Sequence, residues 1–310
     1  MINPIQLITI DDSSSGQRID NFLFKILKNV PYSHVYKIIN KGEVRVNKKR
    51  VSPSYKLSLA DSVRVPPIFN NQDSVADNKP KIRTTLDLEV LFEDDHYIII
   101  NKPSGIACHG GSGISYGIIE MMRNQKDYKF LELAHRLDKK TSGVLVLAKK
   151  RAALLALQES IKKKSVHKEY LLLSDGVWEK DKFTVRAPLY KSTNKNNERF
   201  VRVDTKLGKD SQTEFEILKK FQLFTLVKAK LITGRTHQIR VHTQYIKHPI
   251  IGDDKYGDFE LNSSIAKKYG FDHMFLHAQK FEFIHYQSEQ KMQIFAELPE
   301  SYKTLLNTII

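Results

Sequence analysis

A single cysteine, Cys108, in 310 residues excludes an intramolecular disulfide and leaves a thiolate zinc cluster without ligands. No apolar run approaches the roughly 18 residues that a membrane helix requires. The N-terminus, MINPIQLITIDDSSSG, lacks a basic stretch followed by a long apolar one, so no signal peptide is expected. Together these absences point to a cytoplasmic chain with no membrane partner. Acid is scarce: 35 Asp and Glu stand against 50 Lys and Arg, a formal charge of +15 with a pI near 9.6. Such an excess favours a polyanion, either nucleic acid or an anionic membrane surface. A structural protein of the ribosome would carry the same excess, so charge names a class of partner and not an activity.

Several chemistries lack their signatures. GGSG at 110–113 has no Gly-Lys-Ser/Thr after it, so it is not a phosphate loop, and no G-x-S-x-G elbow marks an acyl-transfer serine. His237 and His242 stand five apart without the spacing of a zinc helix. GDDKYGDFE at 252–260 lacks the spaced acids and final glutamate of a calcium loop. No dinucleotide fingerprint is present. The expectation is an activity with no metal and no small-molecule cofactor.

With 41% hydrophobic residues the chain can build a sizeable core and has room for two domains. Residues 1–15 are expected to be an N-terminal extension, 16–65 a small basic domain, 66–85 a linker and 86–310 a large domain. In the small domain Ile19, Phe22, Leu23, Ile26 and Leu27 form a helical stripe. Ser33 can cap a second helix carrying Val35, Ile38 and Ile39, and Gly42 suits its exit. EVRVN then alternates like a strand, with a turn through Asn47, Lys48 and Lys49 and a return strand at Ser62–Val65. Eleven Lys or Arg against three Asp or Glu give this sixth of the chain a net +8. A dense basic patch gains most from counterion release on RNA or DNA. A helix-turn-helix reader of DNA is the rival, but the KGEVRVNKKRV hairpin fits it poorly. Residues 66–84 carry three prolines among mostly polar residues, as linkers do.

From Leu86 the texture changes. LEVLFEDDHYIIINKPSG reads as strand, turn at Glu93–His96 and buried strand, and VLVLA as another buried strand. Residues 150–163 suit a helix with Leu154, Leu155, Leu157 and Ile161. KEYLLL, TEFEIL and FTLVKAKL suit further strands, and QIRVHTQYI carries a helical stripe. Strands outnumber helices without a repeating βαβ spacing, which points to α+β with a large mixed, mainly antiparallel sheet.

Three segments hold groups suited to chemistry on a polyanion: HRLD at 135–138, KEY at 168–170 and TGRTHQIRVH at 233–242. Separately, Asp138 suits a turn acid, Tyr170 a half-buried strand residue and Arg240 a helix-surface cation. Together they supply a carboxylate, an aromatic platform and a cation able to pair with the acid.

The small domain, through GQRIDNFL and YSHVYKIINKGEVRVNKKRV, resembles the RNA-binding domain of the fourth small-subunit ribosomal protein. HRLDKKTSGVLVLAKK, the KEY strand and TGRTHQIRVHTQYIKHPIIGDDKYG resemble the motifs of the RluA-type RNA pseudouridine synthases, from about Leu86 to the C-terminus. ERFVRV at 198–203 fits the branch acting on large-subunit ribosomal RNA. The resemblance implies an isomerase that converts uridines of 23S rRNA to pseudouridine without cofactor or external energy. It implies Asp138 as the carboxylate beside the sugar, by attack on C1′ or by assisting a glycal. Arg240 is implied as its salt-bridge partner, and Tyr170 as a residue that stacks on the uracil and handles the C5 proton. Arg136 is implied to fill the gap left by the flipped base, with His135 lining the same loop. Arg18, Lys37, Lys48, Lys49, Arg50, Arg235 and His237 are expected RNA contacts, and the chain is expected to be a monomer. The competing expectations are a non-catalytic RNA-binding or assembly protein, and a synthase for another large-subunit site or for transfer RNA.

Overall fold

The computed structural model of the chain describes residues 4–27, 30–68, 87–110, 116–126, 128–193 and 199–309. It divides into two compact units, Met1–Thr84 and Thr85–Ile310.

The smaller unit contains β1 (Gln6–Thr9), α1 (Ile19–Ile26), α2 (Tyr32–Asn40), β2 (Arg45–Val46) and β3 (Ser62–Val65). Ile19, Phe22 and Leu23 of α1 pack on Val35, Ile38 and Ile39 of α2, as their spacing predicts. Gly42, at φ +73°, turns the chain out of α2. Ser33 does not cap that helix. The helix begins at Tyr32 after Pro31, whose fixed φ sets the entry, and no side chain caps it. Asn47 and Lys48, both at positive φ, form a tight turn in which Val46 and Lys49 exchange backbone hydrogen bonds of 3.0 and 2.8 Å. The sheet and core of this unit also draw on residues outside 16–65. β1 pairs antiparallel with β3, giving the order β1-β3-β2, and Ile10 and Ile68 join the core. A two-residue β2 covers little of β3, whose other edge needs a backbone partner. The linker beyond Ile68 lies outside the described residues up to Asp87.

The larger unit runs β4 (Val90–Glu93), β5 (Tyr97–Lys102), α3 (Ile118–Gln125), β6 (Glu132–Leu133), β7 (Ser142–Ala148), α4 (Arg151–Lys162), β8 (His167–Asp175) and β9 (Lys182–Arg186). It continues through β10 (Leu189–Thr193), β11 (Arg199–Val203), β12 (Gln212–Lys220), β13 (Phe224–Leu231), α5 (Gln238–Tyr245), α6 (Phe259–Tyr269), β14 (Leu276–Ile284), β15 (Lys291–Phe295) and α7 (Glu300–Thr308). The main sheet is ordered β4-β5-β7-β14-β8-β13-β12-β9, with β15 on β14 and β6 on β7. Every described pairing in it is antiparallel except β7 with β14. The fold is α+β, as the strand-rich pattern predicts.

YIIINK and SGVLVLA are continuous apolar runs because both faces of the sheet are covered. Ile98, Ile100, Leu145 and Leu147 enter one core, and Tyr97, Ile99, Val144, Val146 and Ala148 enter the other. In α4, Leu154 and Leu157 are buried while Leu155 faces outward at 48% exposure. The segment QIRVHTQYI is not a one-faced stripe, since Gln238 to Thr243 are all buried in α5. Among the described residues no helix is long and apolar enough to cross a membrane.

Candidate active site

HRLD leaves β6 and forms the loop that enters β7, and its position is imposed from below. Leu137 N–H donates to Cys108 Sγ and the thiol donates back to Leu137 O, each at 3.2 Å. The Lys102 ammonium, fully buried, donates to the carbonyls of Pro103, Ile106 and Lys139 at 2.9, 2.8 and 3.1 Å. Gly105 N–H reaches Lys139 O at 3.0 Å and Ser104 Oγ reaches Lys140 O at 2.7 Å. Burial lowers the Lys102 pKa to about 8, with the nearby thiol and Asp138 opposing the shift. The KPSG segment thus straps down the loop that carries Asp138. Gly143, at φ +109°, then lets β14 approach, because a Cβ there would lie 2.2 Å from Ala278 O.

Asp138 lines a cleft of about 320 Å³ together with Tyr170 from β8, Arg136 from its own loop, and His237 and Arg240 from the start of α5. Arg240 Nη1 donates to Asp138 Oδ2 at 3.1 Å, the pair implied above. The same guanidinium makes a stronger contact that the motifs did not reveal. Its Nε and Nη2 donate to the two oxygens of Asp253 at 2.7 and 2.8 Å. Asp253 has no exposed side-chain surface and Arg240 only 7%, whereas Asp138 keeps 25% open to the cleft. Burial disfavours the Arg240 charge, but Asp253 and then Asp138 outweigh it and hold its pKa above the ordinary value. Asp253 is fixed in turn by N–H groups of Lys255 and Tyr256 at 2.9 and 3.0 Å. Gly252 before it, at φ +76°, admits no side chain against His273 O.

Tyr170 is buried along the cleft, and burial, then the Asp138 charge, pushes its phenol pKa up, so it is neutral at pH 7. The Arg136 guanidinium is exposed at the rim with no ion-pair or hydrogen-bond partner among the described residues. His135 does not present a charge to RNA. Its ring stacks on Phe281 at 4.8 Å, Nε2 accepts the Val146 N–H at 3.1 Å, and burial drives its pKa well below 6.5. It anchors the loop to β7.

His237 lines the inside of the cleft. It sits at φ +54° ahead of α5, with Nδ1 2.9 Å from the Tyr256 hydroxyl and Nε2 3.8 Å from Asp138 Oδ2. Burial lowers its pKa while Asp138 opposes the shift. Tyr256, a second residue the motifs did not reveal, also accepts the Val201 N–H at 3.1 Å and lies 5.0 Å under the Arg240 guanidinium. Arg235 is exposed at the cleft edge, its Nε donating to Asp210 O at 3.1 Å. In the smaller unit Lys37, Lys48, Lys49 and Arg50 are exposed, while Arg18 is held by Asp20 at 2.6 Å.

One cluster has the composition of a metal site: Asp94, His96 and His285 each bring one donor atom within 4.8 Å of the others. Ser288 N–H donates to His285 Nδ1 at 3.1 Å, which puts the ring proton on Nε2, aimed at Asp94 Oδ2 2.8 Å away. A ligating Nε2 would have to lose that proton, so the cluster serves as a hydrogen-bonded staple between the β4–β5 turn and the β14–β15 hairpin.

The cleft thus brings together a carboxylate paired with a buried arginine and a buried tyrosine. A family profile described as RNA pseudouridylate synthase matches residues 96–245, and one described as S4 domain matches residues 17–63. The chain is 47% identical over 308 residues to ribosomal large subunit pseudouridine synthase C of Pasteurella multocida, covering 98% of this chain and 94% of that one. It is 45% identical over 310 residues to the protein of the same name from Escherichia coli K12, covering 98% and 97%. The chain belongs to the RNA pseudouridylate synthase family. Human RNA pseudouridylate synthase domain containing 4 shares its fold, with a TM-score of 0.58 at 24% identity over 71% of this chain and 92% of that one.

Proposed function

We propose that the protein converts specific uridines of 23S ribosomal RNA to pseudouridine, acting as a monomer in the bacterial cytoplasm. The observation that carries this reading is Asp138: one carboxylate oxygen is tied to Arg240 while the group stays open to the cleft that Tyr170 lines. A flipped uridine would bring C1′ to this carboxylate. The N1–C1′ bond breaks, the uracil turns, C5 bonds to C1′, and the proton lost from C5 is balanced by one gained at N1. The composition of the nucleotide is unchanged, although the C5 hydrogen is released to water and a different proton is taken up at N1. Arg240 holds the acid's rotamer in place through its hydrogen bond. Tyr170, neutral at pH 7, stacks on the free base. Extracting the base costs a few kcal/mol, and the unpartnered Arg136 at the rim is placed to fill the vacated stack. The smaller basic unit adds affinity for RNA phosphates. Asp138→Asn should bind a 23S rRNA transcript near-normally and form no pseudouridine, measured by tritium release from [5-³H]uridine RNA. A variant turning over near the parent rate sinks the assignment.

A further inference from the structure

Beside the cleft lies a second groove of about 280 Å³, bordered by the end of α4 and the chain that joins β13 to α5. The two share Ile161, Lys168, Leu231, Gly234 and Arg235, so they form one continuous depression. Lys162, Lys164, Lys168 and Arg235 line the groove, and no carboxylate among the described residues does. Lysines at a helix C-terminus have an ordinary explanation, since they offset the exposed carbonyls there. That accounts for Lys162, which also pairs with Glu159 at 3.5 Å outside the groove. It does not account for Lys168. This residue stands on β8, two positions before Tyr170 and therefore on the same face of the strand. Its Nζ has no acid or hydrogen-bond acceptor among the described residues, only the Phe281 ring at 5.4 Å. Burial without a counter-charge lowers its pKa to about 8. An unpaired, half-buried ammonium is unfavourable for folding, and its environment suits an anion supplied from outside.

We propose that this groove carries the phosphodiester backbone of the RNA strand adjoining the flipped nucleotide, with Lys168 taking the phosphate nearest the cleft and Lys164 and Arg235 the next ones. The proposal rests on RNA being the substrate and adds the path of its backbone. Lys168 is an RNA-binding residue here, separate from the Asp138–Arg240 pair. The groove explains why Arg235 stands at the boundary of both depressions: it marks the point where the strand leaves the reaction centre.

The test is filter binding of an unmodified 23S rRNA transcript over a series of KCl concentrations, using the full chain. Each phosphate neutralised on a single strand contributes about 0.7 to the slope of log affinity against log salt. Lys164→Gln/Lys168→Gln should lower that slope by about 1.4 and bind severalfold more weakly at fixed salt. Lys267→Gln/Lys268→Gln, the same change of charge on exposed positions of α6, should lower it far less. Lys168→Gln alone should melt at or above the parent temperature, because it removes an uncompensated charge. A groove variant with the slope of the α6 control overturns the proposal. So does a Lys168→Gln protein that melts lower, or one whose single-turnover rate at saturating RNA falls while the slope stays at the parent value. Binding needs no isomerisation, so a parent protein that binds the transcript but makes no pseudouridine would refute the proposed function and leave the groove test readable.

Discussion

At the scale of the residue, Arg240 organises the site by donating hydrogen bonds unequally to two acids, with Asp254 3.7 Å away as a third charge. Asp253 takes two of its hydrogen bonds in complete burial, and Asp138 takes one at the open edge. The two acids should therefore fail differently. Asp138→Asn removes the proposed reacting group but leaves Arg240 neutralised by Asp253, so the urea midpoint should stay near the parent value while pseudouridine formation is abolished. Asp253→Asn leaves a buried guanidinium without its main counter-charge and should cost roughly 3–5 kcal/mol of stability. Equal stability of the two variants would show that Asp138 bears as much of the pairing as Asp253. The sequence made Arg240 and Asp138 visible through motif resemblance. Asp253 lies in GDDKYG at the end of the stretch that carries the resemblance, which gives it no role, and the need of a buried arginine for a second acid is not apparent until its burial is known.

At the scale of the element, the site depends on two short loops held by strands far apart in the chain. The β6–β7 loop is strapped by KPSG after β5 through the Lys102 ammonium and Ser104 hydroxyl. Lys102→Met would keep the stem's volume and leave the carbonyls of Pro103, Ile106 and Lys139 without this donor. A buried acceptor left unpaired costs about 1–3 kcal/mol, so the variant should unfold at clearly lower urea. Its single-turnover rate should fall at saturating RNA, because Asp138 is one residue from the released Lys139 carbonyl. A fully active, equally stable Lys102→Met protein would show that the strap is not needed. The strands themselves were legible as apolar runs, and α1 and α2 as stripes. The β1 edge of the small sheet was not, because QLIT is exposed or half-buried and leaves no apolar pattern to detect.

At the scale of the molecule, charge and burial set two further expectations. Residues Thr85–Ile310 form a unit with its own cores. A fragment covering them should fold alone, yet bind 23S rRNA more weakly and with a shallower salt slope, since every phosphate that the basic unit no longer neutralises takes about 0.7–0.9 off that slope. Unchanged affinity and slope would show that the small unit has another task. The second expectation concerns acid. His242 and His277 are buried and His135 is half-buried beneath its loop, and desolvation holds each pKa below 6.5 in the fold. Below about pH 6.5 the unfolded chain takes up protons that these rings refuse when folded. Their contribution is therefore fully present above that pH and declines as pH falls through it, by up to about 1.4 kcal/mol per histidine per pH unit. Urea midpoints between pH 7.5 and 5.5 should decline accordingly, and a flat profile would show that these imidazoles titrate normally.

Composition and local pattern by themselves determined the polyanionic partner, the helices of the basic unit and the buried strands, and resemblance nominated the acid, tyrosine and arginine that the cleft brings together. These are properties of neighbouring residues, and helix and strand periodicity report them directly. The tertiary structure alone decided that Asp253 and Tyr256 belong with Arg240, that His135 anchors while His237 faces Asp138, and that Lys102 holds a loop 37 positions away. Only folding removes these groups from water and chooses their partners. The desolvation that turns a polar side chain from a surface group into a positioned one exists only once the sheet has closed over it.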